Sequence, residues 1–183
     1  MNTIKQIVLC GLVSALLLPA AASAQARPWH FGVEAGLADP NRDRFDDALQ
    51  IQGSVGYDVV NRSWGVLTGE FAVGTSVSEG DIKLPPRFGG NGEWDVTTLG
   101  LFITYRTDEV VFYPLARLGF QYADASTNRP GLFPRFDDSD TGLAAGIGAG
   151  VRFTPDVALE LSWTRQFSFL DEDLDVIALG VRF

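Results

Sequence analysis

The chain is poor in reactive side chains. Its 183 residues include one cysteine, Cys10, one methionine and one histidine, His30. Cys10 lies in an apolar run that reads as part of a cleaved leader. The remaining chain therefore has no thiol for a disulfide, for thiolate chemistry or for a cysteine-ligated metal. Positive charge is sparse too: 14 Lys and Arg stand against 23 Asp and Glu, and no two bases are adjacent. Phosphate backbones are held by basic faces, so a nucleic-acid partner is not expected. Past the leader, no run approaches the roughly 20 apolar residues of a spanning helix. No HExxH, EF-hand or P-loop pattern occurs. Gly146-Ile-Gly-Ala-Gly150 resembles part of a dinucleotide fingerprint but lacks the later glycine and a following helix.

What is present begins with an export signal. Lys5 supplies a positive start, 7–18 is almost wholly apolar, and Ala22-Ser-Ala24 and Ala24-Gln-Ala26 are small-residue cleavage sites. Residues 1–26 are read as a signal peptide cut after Ala24 or Ala26, and 27–183 as one domain. Removing the leader leaves 13 bases, 23 acids and a net charge of −10.

The mature chain alternates apolar and small or polar residues with period two, the mark of strands with two unlike faces. Eight segments show it, at about 29–38, 49–59, 65–75, 96–106, 110–122, 141–153, 157–167 and 174–183. Short turns at 61–63, 107–109 and 154–156 alternate with longer connections at 39–48, 76–95, 123–140 and 168–173. An even strand number, with short turns at one end and long loops at the other, describes a transmembrane barrel. The second face carries Gly, Ala and Ser, among the chain's 20 glycines. That suits the crowded inside of a narrow barrel. In lipid only a closed sheet satisfies every strand's backbone groups. Trp29, Tyr57, Trp64, Tyr105, Phe112, Phe153 and Phe183 fall near the short-turn ends, and Tyr122, Trp163 and Trp94 near the others, as two aromatic girdles would. The expectation is all-β: an eight-stranded antiparallel transmembrane β-barrel.

Over 29–183 the sequence resembles the small outer-membrane barrels of Gram-negative bacteria, the OmpA transmembrane-domain and OmpX-like group. The last ten residues carry the resemblance most specifically. Ile177, Leu179, Val181 and a terminal Phe183 alternate as in the signal read by the outer-membrane assembly machinery. Tyr113-Pro-Leu-Ala-Arg-Leu-Gly-Phe120 also resembles the group's fifth strand. The resemblance implies an outer-membrane location among lipid and lipopolysaccharide, a monomer and assembly by that machinery. With the chain ending at Phe183, no peptidoglycan-binding domain is expected.

The alternation turns eight charges inward: Glu34, Asp58, Glu70 and Glu160 against Arg106, Arg117, Arg152 and Arg182. Enclosed charges cost several kcal/mol each unless paired. The expected arrangement is a plug, with Glu34 and Glu70 on Arg117 at mid-height and the arginines below with Asp58 and Glu160. The same groups lining a narrow channel for ions or small solutes are the alternative. No enzyme, cofactor or metal is expected. A lipid-modifying hydrolase would need a serine beside His30, which is followed by Phe31 and Gly32. Asp137-Asp-Ser-Asp140 and Asp171-Glu-Asp173 read as solvated acidic loops in preference to divalent-cation sites. Arg44-Phe-Asp-Asp47 recurs as Arg135-Phe-Asp-Asp138. Apolar residues in two loops (Ile82, Leu84, Pro85, Pro86, Phe88 and Trp94; Leu132, Phe133 and Phe136) suggest an extracellular cap where a ligand could bind. The expected role is structural or surface-interacting.

Overall fold

A computed structural model describes residues 28–41, 45–82, 92–107, 111–128, 136–169 and 172–183, without the side chains of 128, 136–138, 168–169 and 172. Residues 1–27, which include the stretch expected to be a signal peptide, and much of the long connections lie outside them.

Among the described residues nine strands follow in chain order: β1 (Trp29–Asp39), β2 (Ala48–Arg62), β3 (Gly65–Ser76), β4 (Gly80–Ile82), β5 (Gly92–Arg106), β6 (Phe112–Asn128), β7 (Phe136–Thr154), β8 (Val157–Phe169) and β9 (Glu172–Arg182). All pairings are antiparallel. β1 pairs with both β2 and β9, and β3 with β5, so eight strands close on themselves. The small strand β4 lies outside that circuit, on the upper end of β5.

Alternation fixes which side chains face lipid. Leu101, Ile103, Phe120 and Leu161 are exposed, while Thr104, Arg117, Gln121 and Ser162 of the same strands are buried inside. This reverses the burial pattern of a soluble protein and needs hydrocarbon outside. At the short-turn end Trp29 meets Tyr57 edge-on at 4.9 Å, and Trp64 stacks on Tyr105 at 5.8 Å. The turn Ser63-Trp64 is closed by Gly65 at φ 145°, where a Cβ would lie 2.6 Å from the Arg106 carbonyl oxygen.

The eight strands expected from the sequence are all present, but their upper ends differ. The 76–95 connection contains β4 and the first turns of β5. The 123–140 connection is mostly sheet, because β6 continues to Asn128 and β7 starts at Phe136. Trp94 does not join the girdle: it points inward and is 2% exposed. The reason is the solvent. Above the lipid the outer face is wet and the inner face must be apolar, so the alternation inverts and reads as loop.

Candidate functional site: the barrel interior

The interior is built in three layers. Nearest the short turns is an ionic cluster centred on Glu160. Its Oε1 accepts from Tyr113 Oη at 2.7 Å, Arg106 Nε at 3.0 Å and Arg182 Nε at 3.0 Å, and its Oε2 from Arg106 Nη2 at 3.3 Å. Arg106 Nη2 also reaches Glu70 Oε2 at 3.3 Å, and Thr104 donates to the same oxygen at 3.0 Å. The Arg152 guanidinium lies 5.4 Å from the Tyr113 ring centre. At the edge of the cluster, His30 Nε2 and Asp58 Oδ2 are 2.8 Å apart, and Thr68 donates to Asp58 at 2.9 Å. Arg182 Nη1 is 3.2 Å from His30 Nδ1. A guanidinium can only donate, so Nδ1 accepts and Nε2 carries the proton toward Asp58.

The middle layer holds one ion pair, Arg117 Nη2 to Glu34 Oε1 at 3.3 Å, with Phe102 5.8 Å beneath the guanidinium. Gln50 donates to Thr98 at 2.9 Å. A small cavity of about 20 Å³, room for about one water molecule, is lined here by Glu34, Gln50, Gln52, Arg117, Gln121 and Thr164. Arg117 Nε, Gln50 Oε1 and Thr164 Oγ1 are buried without a protein partner. Groups of this kind are satisfied by water in protein interiors.

The mouth is an apolar core. Ala38, Ala48, Ile82, Trp94, Val96, Ala123, Ala125 and Leu174 are 0–5% exposed, with Phe45 and Val176 against them. Trp94 Nε1 donates to the Asp46 carbonyl oxygen at 2.8 Å, and Phe45 packs edge-on to its ring at 6.0 Å.

Two expected pairings change. Glu70 joins Arg106 in place of Arg117, because the slant of the closed sheet sets which strands face each other across the interior. Asp58 is held by His30 and Thr68, apart from the arginines on Glu160. The inward glycines of β7 make room for β6: a Cβ on Gly146 would lie 3.0 Å from Arg117 Cγ, one on Gly148 3.2 Å from Leu115 Cδ1, and one on Gly150 would overlap the Tyr113 ring. Tyr113 was not expected in the cluster, yet it shares inward parity with Arg117. Of the expected cap, Ile82 and Trp94 meet in the mouth. Leu84, Pro85, Pro86, Phe88, Leu132 and Phe133 lie outside the described residues, as does the Phe136 side chain. Of the acidic clusters, Asp173 reaches Arg165 at 3.5 Å, and Asp140 Oδ1 accepts from Thr141 N at 2.7 Å. Asp171 and the Asp137, Asp138 and Glu172 side chains lie outside the described residues.

A closed sheet with lipid outside and paired charges within defines a small transmembrane β-barrel of the outer membrane. The model of the outer membrane protein beta-barrel domain matches residues 8–183, and the chain belongs to that family. Solved structures share the fold. Neisserial surface protein A is 14% identical, matching 85% of this chain and 96% of that one with a TM-score of 0.57. OprG from Pseudomonas aeruginosa is 13% identical over 86% and 97%, with a TM-score of 0.59. Ail, the attachment invasion locus protein of Yersinia pestis, solved with the heparin analogue sucrose octasulfate, is 16% identical over 85% and 96%, with a TM-score of 0.54. No curated protein sequence matches significantly.

Proposed function

We propose that the protein is a closed, non-conducting barrel with a structural or surface-interaction role, whose working surface is the set of strand ends and loops above the lipid. The carrying observation is the filled interior, with the ionic cluster below and the apolar core across the mouth. The four long connections hold 15 acids and 6 bases. That balance suits a cationic partner better than a polyanion of the kind seen on Ail. Both ring nitrogens of His30 are engaged, by Asp58 and Arg182. This supports a non-enzymatic reading, since neither is left for a nucleophile. Lipopolysaccharide as neighbour, a monomeric state, and the alternating Ile177, Leu179, Val181 and Phe183 as the mark for the assembly machinery complete the proposal.

The cavity beside Arg117 favours a second reading, a narrow channel. Single-channel recording of refolded mature protein in planar bilayers separates the two. Silence from protein shown to be folded by its heat-dependent gel shift is expected. Reproducible steps that change on Arg117→Ala or Glu70→Gln would replace the closed barrel with the channel.

A further inference from the structure

Two short pieces of chain, bonded to each other, lie over the mouth, and the seam between one of them and β5 sets like charges face to face. Phe45 forms a bridge to Ile82, and Asp46 N donates to the Asp81 carbonyl oxygen at 2.8 Å. β4 then pairs with β5 through three residues: Gly80 opposite Trp94, Asp81 opposite Glu93, and Ile82 opposite Gly92. The apolar side of this flap fits closely. Ile82 is 1% exposed, and a Cβ on Gly80 would overlap the Trp94 indole.

The wet side is opposed. Asp81 and Glu93 are directly cross-strand, an arrangement that destabilises a ladder when both are ionised. Glu79, which leads into β4, adds a third carboxyl group beside Glu93, so the seam carries three acids where the ladder register already opposes two. On the other side of Glu93 the ladder register sets Asn128 of β6 opposite it and Ser126 opposite Asp95, and Asp46 of the first connection bonds the backbone of Asp81 and the Trp94 indole. Lys83 and Arg87 belong to residues outside the described ones.

We propose that β4 and the Phe45–Asp46 segment form an acid-set latch over the apolar mouth, firmest when the carboxylates along the β4–β5 seam are protonated or screened and loosened when all are ionised.

The direction follows from the groups themselves. Hydrogen bonding in which a protonated Glu93 donates to Glu79 raises the Glu93 carboxyl above its ordinary value, and the charges of Glu79 and Asp81 raise it further. Closure that depends on the proton is fully present below the ordinary value and is lost as pH rises through the raised one. Because these side chains are exposed, salt should restore closure at neutral pH.

The test uses the refolded full-length mature protein and deuterium uptake at 80–82 and 92–96, corrected for intrinsic exchange. From acid to neutral pH at low salt, protection should fall roughly two- to fivefold, the scale of one like-charge cross-strand pair. High salt should suppress the change, and Glu79→Gln with Glu93→Gln should abolish it. Acrylamide quenching of Trp94, with the other three tryptophans replaced by Phe, gives an independent reading. Protection independent of pH in the native protein, or an identical pH profile in the double Gln variant, would overturn the latch.

Discussion

Glu160 anchors the lower cluster, and the cost of neutralising it can be worked from its contacts. Glu160→Gln keeps the shape but removes the charge that faces Arg106 and Arg182. It also places an amide donor or a neutral oxygen where Arg106 Nη2 finds a carboxylate at 3.3 Å. Arg106 is 5% exposed and, among the described residues, keeps Glu70 as its ionic partner. Breaking a buried pair from one side costs about 3–5 kcal/mol, because the remaining charge stays buried. The retained Glu70 contact puts the expectation at the lower end, about 3 kcal/mol, or roughly a hundredfold in the folding equilibrium. Urea unfolding in lipid vesicles, followed by tryptophan fluorescence and gel shift, should show a lower midpoint with an unchanged slope. Arg106→Gln in the same background should give an interaction energy within about 0.5–3 kcal/mol. A loss below about 1 kcal/mol, the scale of an exposed pair, would refute the reading of this cluster as a desolvated anchor.

Two further outcomes follow from packing and from the chain end. Gly150→Leu should cost about 1–3 kcal/mol by forcing the Tyr113 ring aside; adding Tyr113→Ala should recover part of it, and chemical denaturation of the three variants checks this. Phe183→Ala leaves the backbone bonds to Phe31, at 2.8 and 3.1 Å, in place. Refolding in detergent should be unchanged while the assembled yield in cells falls; equal yields would remove Phe183 from the assembly signal.

The strands were legible because lipid enforces a strict rule: outward residues such as Leu101 and Ile103 are apolar for as long as hydrocarbon surrounds them. Where that solvent ends, the rule turns over. Glu93 and Asp95 face water while Trp94 and Val96 face the mouth, so the upper part of β5 carries the opposite alternation and reads as loop. The interior charges were legible as a set, because parity alone turns Glu34, Glu70, Arg106 and Arg117 inward. Their pairing was not, because it depends on how far each strand is offset around the barrel. That offset brings Glu70 to Arg106 and leaves Glu34 for Arg117. His30 escaped the charge count because it is not a formal charge, yet it is what holds Asp58. Tyr113 carries no formal charge either, so a count of inward charges passes over the phenol that donates to Glu160.

The apolar mouth has a consequence in time. It joins Ala38 near the start of the domain, Trp94 and Val96 in the middle, and Leu174 near the end. Contacts of such long sequence separation come late in folding, since the loops between them must close first. This core therefore cannot assemble until the first and last strands have met. Burial of the Trp94 indole marks the moment of closure, and its fluorescence should change in the slowest phase of insertion, after Trp29, Trp64 and Trp163 have reached the membrane interface.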